Sequence, residues 1–123
     1  MPLTLDQKRV IVEMMGLTIR NEMCKSIGLL DCIYDQNGEA VCWIDEFDPA
    51  TNWDHAGLAM ERLQIDVEWQ EFSELVDGKE GVWSAAKFAP AIVRLGDDPR
   101  LAITACLAAM ADAAIERRKG QGK

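Results

Sequence analysis

An α+β domain is the fold class this sequence predicts: a mostly antiparallel four-stranded sheet made from two hairpins, with three helices packed on it, in the order α-β-β-α-β-β-α. Three observations lead there. First, the hydrophobic period changes inside residues 47–69. Trp53, Ala56, Gly57, Met60 and Leu63 keep the spacing of one helical face, and from Ile65 the apolar Ile65, Val67 and Trp69 alternate with Asp66, Glu68 and Gln70. A helix followed at once by a half-buried strand folds back on a sheet. Second, Asn37-Gly38 stands between two apolar runs, the strongest short signal for a hairpin because both residues tolerate positive φ. Third, Gly96-Asp97-Asp98-Pro99 sets an acidic cap and a proline at the start of an alanine-rich run with helical period.

Taken in order, Thr4-Leu5-Asp6-Gln7 fits a capping box, and Val10, Ile11, Met14 and Met15 form the stripe of a first helix over about 5–15, stopped by Gly16. Residues 17–28 read as a short extended piece or an irregular loop. Leu29 to Tyr34 and Glu39 to Ile44 make the first hairpin. Asp48-Pro49 marks a turn, and Thr51 or Asn52 caps a second helix ending near Leu63 or Gln64, with Asp54 where the helix dipole favours negative charge. The second hairpin joins Ile65–Phe72 to Val82–Phe88 through a turn region whose tip is Asp77-Gly78. Pro90 breaks the returning strand or places it at an edge, and residues 91–95 extend it past the break. A third helix runs from about Pro99 to Arg118, burying Ile103, Cys106, Leu107, Met110, Ala113 and Ala114. Residues 1–119 form a single domain, and 120–123 are a disordered tail.

With 49% apolar and 28% charged residues the chain has the composition of a soluble globular protein. Its N-terminus, MPLTLDQKRV, lacks the order of a signal peptide, and no apolar run approaches the ~20 residues of a bilayer span. Both features predict a cytoplasmic location. Cys24, Cys32, Cys42 and Cys106 lie too far apart for the paired spacing of a zinc site, so they read as reduced structural thiols, with neither metal nor cofactor expected.

The charge is unevenly placed. Between Asp45 and Glu80 eleven acids meet only Arg62 and Lys79, so this third of the chain holds more than the whole net charge of −8. A chain of this kind is not expected to contact nucleic acid or an anionic membrane directly, since both require a cationic surface. The acidic residues of the second hairpin, Asp66, Glu68, Glu71, Glu74, Asp77 and Glu80, instead suggest a docking face for a basic partner. Strand side chains on one face recur every ~6.8 Å, close to the phosphate spacing along one DNA strand, so such a face can imitate DNA. The opposing reading is a solvated strand and turn.

No catalytic group emerges. His55, the only histidine, lies early in the second helix and reads as solvent-facing. No serine sits in a nucleophile elbow, no cysteine has an evident histidine partner, and no glycine-rich phosphate loop is present. The four tryptophans read as core residues. Trp83 is the one with a second reading: were Val82, Ser84 and Ala86 to face the helices, Trp83 would face outward as an aromatic anchor.

Asn52-Trp53 opening a helix, Gly57 within it, an alternating strand ending in Trp69, and a helix start around Pro99-Arg100-Leu101-Ala102 together resemble the phage ABA-sandwich domain, a family of small proteins of bacteriophages and prophages. The resemblance covers roughly 47–110. It implies a layered α/β/α arrangement and a phage or mobile-element origin, and it supplies no catalytic residues. Small phage proteins of this kind often bind host proteins, defence systems among them. The function expected is therefore non-enzymatic: binding to a host or defence complex, in the manner of an anti-CRISPR inhibitor, with the acidic face blocking a basic nucleic-acid-binding surface. The alternative is a homodimer or larger phage assembly, self-associating through the small residues of the third helix.

Overall fold

The computed structural model describes residues 3–24, 28–88 and 91–121. In chain order the elements are α1 (Leu5–Met14), β1 (Thr18–Cys24), β2 (Gly28–Tyr34), β3 (Ala40–Trp43), a 3-10 turn (Ile44–Glu46), α2 (Trp53–Leu63), β4 (Asp66–Val76), β5 (Lys79–Phe88), β6 (Ala91–Gly96) and α3 (Pro99–Gln121). The fold is α+β, with three helices and two three-stranded antiparallel sheets, β1-β2-β3 and β4-β5-β6. The single four-stranded sheet and the order α-β-β-α-β-β-α do not hold. Each expected hairpin gains a third strand, β1 beside β2 and β6 beside β5. The stretch 17–28, left between strand and loop by its sequence, supplies β1. Residues 91–96 do not prolong β5 but return antiparallel to it. Pro90, the expected break, lies outside the described residues.

Contacts gather in two compact units, one formed by Met1–Asp48 with Ala111–Lys123, the other by Pro49–Met110. In the first, α1 begins at the capping box its sequence announces. The Thr4 amide donates to Gln7 Oε1 at 2.9 Å, and the Gln7 amide donates to Thr4 Oγ1 at 3.2 Å. Val10, Ile11, Val12, Leu17, Ile33, Ile44 and Phe47 are among its buried apolar side chains. The end of α3 is tied to α1 by polar contacts: Arg118 Nη2 to Glu13 at 2.6 Å, and Gln7 Nε2 donating to Asp112 at 3.0 Å. The helix continues to Gln121, beyond the Arg118 expected; the rest of the supposed tail, 122–123, lies outside the described residues.

The second unit is organised by two helix starts. Asn52 Oδ1 accepts from the amides of Asp54 (2.9 Å) and His55 (3.2 Å), capping α2. Asp98 Oδ1 accepts from the Arg100 amide at 2.8 Å at the head of α3. Arg100 joins the two. Its guanidinium donates to Asp98 (Nε, 3.0 Å) and to the Thr51 carbonyl (Nη1, 3.1 Å), and it stacks 4.5 Å from the Trp53 ring centre. This corrects the expected face of α2. The buried residues are Ala56, Ala59 and Leu63, whereas Trp53 is 55% exposed, lying under a guanidinium instead of in the core, and Met60 is exposed too. Trp69 is likewise exposed, and Trp43 and Trp83 are half-buried, so none of the four tryptophans is fully buried. In α3, Ala102, Ile103, Cys106, Leu107, Met110, Ala111 and Ala114 are buried, and no residue from Ala102 to Ala111 is exposed. Ala105, Ala108 and Ala109 on the same helix are half-buried.

The β4–β5 hairpin turns at Asp77-Gly78, where both φ angles are positive (52° and 78°), the pair of values a two-residue hairpin turn of the right twist requires. Here β4 and β5 are longer than their sequence suggests, and the nine-residue turn region contracts to its tip. β6 pairs with β5 only from Trp83 to Phe88. The part of the hairpin beyond Trp83 therefore has no third strand beside it. Its base is held by aromatic contacts. The Trp69 and Trp83 rings meet edge to face with centroids 5.4 Å apart, and Trp69 covers Gly81, where an added Cβ would lie 2.4 Å from the Gln70 carbonyl oxygen and 2.6 Å from the indole.

Two expected outcomes follow from these contacts. Gly81→Ala lowers stability by about 1–3 kcal/mol because backbone and indole must both yield; the midpoint of urea unfolding measures it. The Arg100 hydrogen bonds hold the Asp98 carboxyl below its ordinary value. A depressed folded pKa stabilises above the unfolded pKa and is lost as pH falls through the folded one. The stability gap between wild type and Asp98→Asn, measured by chemical denaturation across pH, stays constant above about pH 5 and closes in acid below the ordinary carboxylate range.

Candidate protein-docking hairpin

The register of β4 against β5 decides where each acidic side chain goes. Asp66 pairs with Ala86, Glu68 with Ser84 and Gln70 with Val82, so these six share one face. Side-chain bonds agree: Gln70 Nε2 donates to Glu68 Oε2 at 3.2 Å and to Ser84 Oγ at 3.4 Å. Val67, Trp69 and Glu71 pair with Ala85, Trp83 and Gly81 on the opposite face, which contains the fully buried Ala85. Glu71 is thus turned away from Asp66 and Glu68. Val82, Ser84 and Ala86 share the face of those two carboxylates, and Trp83 shares the face of Ala85, half-buried against Trp69.

Past Glu71 the regular ladder stops. Between the pairs Glu71–Gly81 and Val76–Lys79, the four residues Phe72–Leu75 of β4 stand opposite Glu80 alone. This wide bulge interrupts the two-residue alternation, so an even row of carboxylates extends only over Asp66 and Glu68. Glu74, Asp77 and Glu80 cluster in sequence around the turn instead. All six predicted carboxylates are exposed. Among the described residues none of the six lies in an ion pair, and the lysine nearest the tip, Lys79, is committed to Asp97 at 2.6 Å. What sequence reasoning missed at the tip is apolar: Leu75 is 69% and Val76 51% exposed, flanked by Glu74 and Asp77. Their signal in the sequence is the Leu75-Val76 pair directly before Asp77-Gly78, which the structure places at the end of β4 and not in a wide turn.

Elsewhere, Cys32, Cys42, Cys106 and His55 are buried or half-buried. Cys106 and Cys32 are buried, and burial pushes the Cys106 thiol up. Cys42 is raised to about 11, by burial first and then by the nearby Glu46 carboxylate. His55, expected to face solvent, is half-buried on α2. An open cleft of about 350 Å³ in the first unit has Leu5, Leu29 and Ile44 on its walls, with Arg9, Asp31 and Asn21 between them. Asp31 is hydrogen-bonded by Asn21 and ion-paired with Arg9, and the two together lower its pKa, so the guanidinium there already has its counter-ion. Among the described residues no helix is long and apolar enough to cross a membrane. No family model, characterised protein or solved structure matches the chain.

The thiol environment has a measurable consequence. A pKa raised from 9.0 to about 11 cuts the thiolate fraction of Cys42 at pH 7.5 about 100-fold. Iodoacetamide labelling followed by peptide mass spectrometry therefore shows Cys42 nearly inert at neutral pH, with a rate that climbs as pH rises toward 11.

Proposed function

We propose that this chain is a non-enzymatic binding protein that acts by occlusion, docking the β4–β5 hairpin on a basic surface of a host or defence protein complex and competing there with nucleic acid. One observation carries the reading: six exposed carboxylates on one hairpin, without cationic partners among the described residues, while Lys79 is engaged elsewhere. Leaving them so concentrated costs self-repulsion in the free protein, which a basic surface relieves. The exposed Leu75 and Val76 add apolar area that a docked partner would remove from water. Because Glu71 lies across the sheet from Asp66 and Glu68, the hairpin suits a groove that touches it on both sides better than a flat row of cationic sites.

A phage or prophage origin, membership of the ABA-sandwich family, a bacterial cytoplasmic setting and an anti-CRISPR type of target belong to this proposal. Their support is the resemblance around Asn52-Trp53, Gly57, Trp69 and Pro99-Leu101-Ala102, together with the acidic hairpin. An affinity pull-down from bacterial lysate at low and high salt tests the reading. Capture at low salt weakens steeply as salt rises. The triple variant Glu68→Lys, Glu71→Lys, Glu74→Lys loses the captured protein while its circular dichroism stays unchanged. Undiminished capture by a folded triple variant would overturn the assignment to the hairpin.

A further inference from the structure

The two edges of the β4-β5-β6 sheet are built differently. The β4 edge carries Asp66, Glu68, Glu71 and Glu74, the kind of charge loading that prevents a strand from pairing with another chain. The β6 edge, Ala91–Gly96, carries one charge, Arg94. Val93 and Leu95 are 57% and 59% exposed, and Ala91 is exposed beside them. Arg94 Nη1 donates to the Val93 carbonyl at 2.8 Å, so that carbonyl is turned outward, away from β5. In an antiparallel strand backbone groups alternate in direction, which turns the amides and carbonyls of Ala91, Val93 and Leu95 toward the open edge.

From this asymmetry we propose that β6 pairs antiparallel with β6 of a second copy of this chain, joining two sheets into one of six strands about a two-fold axis at Val93. The sequence is self-complementary in that register. Val93 meets Val93 of the second copy, and Ala91 meets Leu95, a small side chain against a large one, all on the exposed face. On the other face Ile92 meets Arg94, so the two arginines do not oppose each other. Backbone amides replace the Arg94 guanidinium at the Val93 carbonyl. Charge selects this edge over the other. Pairing through β4 would bring the carboxylates of two copies into contact. Pairing through β6 leaves the two β4 strands five strand spacings apart, about 24 Å, well beyond the ~8 Å screening length at physiological ionic strength. Each dimer then presents its two acidic hairpins at opposite ends. The inference is independent of what the hairpin binds.

Sedimentation velocity of the full chain over a concentration series tests it, with the expected result a reversible dimer. Val93→Lys sets two ammonium groups face to face at the axis and raises the dimer dissociation constant about tenfold or more. Its unchanged circular dichroism shows that the fold survives. The register is read by cysteine cross-linking. Residues in a hydrogen-bonded antiparallel pair have Cα atoms about 5.5 Å apart, within disulfide range. Under mild oxidation Val93→Cys gives a covalent dimer, whereas Leu95→Cys does not, because its counterpart lies about 13 Å along the strand. The wild-type chain under the same oxidant sets the background from Cys24, Cys32, Cys42 and Cys106. A chain that stays monomeric at every concentration, a dimer indifferent to Val93→Lys, or cross-linking of Leu95→Cys equal to that of Val93→Cys would each overturn the proposal.

Discussion

The contact on which the functional reading rests is the Trp69 indole lying over Gly81 and edge-on to Trp83. It sits where β6 stops accompanying β5, so it pins the hairpin where lateral support ends. Two-stranded ribbons are marginal in water, since too little apolar surface is buried per residue ordered. An aromatic ring over a glycine restores some of that burial without a third strand. Gly81 has to be glycine because the indole and the Gln70 carbonyl occupy the space of a side chain. The result is a hairpin braced at Trp69, Trp83 and Gly81, whose exposed positions toward the turn carry side chains chosen for something other than packing.

The side chains it carries are mainly acids, and their arrangement serves two physical ends at once. Along β4 they keep an edge strand from recruiting another chain. Around the turn they flank Leu75 and Val76, which would otherwise be an exposed apolar tip with no guard. Solvation of single surface acids costs nothing in particular, but six of them on one hairpin, with Lys79 diverted to Asp97, raise the local potential in a way that scattered acids would not. The bulge at Phe72–Leu75 works in the same direction, since it breaks the flat edge that an incoming strand would need.

Much of this was legible in local sequence, and the losses have specific causes. The Thr4–Gln7 capping box, the Asn52 cap, the Asp77-Gly78 tip and the start of α3 at Pro99 are interactions within three or four residues, and each appears where its motif stands. What failed depended on pairing at a distance. β1 reads poorly because Arg20-Asn21-Glu22 interrupts its alternation; its structure comes from pairing with β2. Residues 91–96 read as a prolongation of β5 because no glycine between Phe88 and Ala91 announces a reversal, and the pairing with β5 is what makes them a strand of their own. Trp53 looked like a core residue by period alone, yet its ring is covered by Arg100 from the next helix. The site shows the same division. That Glu71 is out of phase with Asp66 and Glu68 follows from counting by twos, whereas the bulge beyond it, which ends the counting, has no marker in the sequence.

The sheet is therefore polarised across its width. Acids crowd β4 and the turn, while β5 runs through the middle with small or apolar residues on the open face, Val82, Ser84 and Ala86. β6 closes the sheet with Ala91, Val93 and Leu95 on that same face. A surface graded from anionic to aliphatic over two strand spacings, about 10 Å, separates its interactions by range. Carboxylates attract a cationic partner over roughly a screening length. Aliphatic side chains contribute only on contact, once water has left. On the two proposals made above, a partner at the β4 side would be selected by charge before contact, and one at β6 by fit after contact. One sheet can then support two kinds of association without either edge interfering with the other.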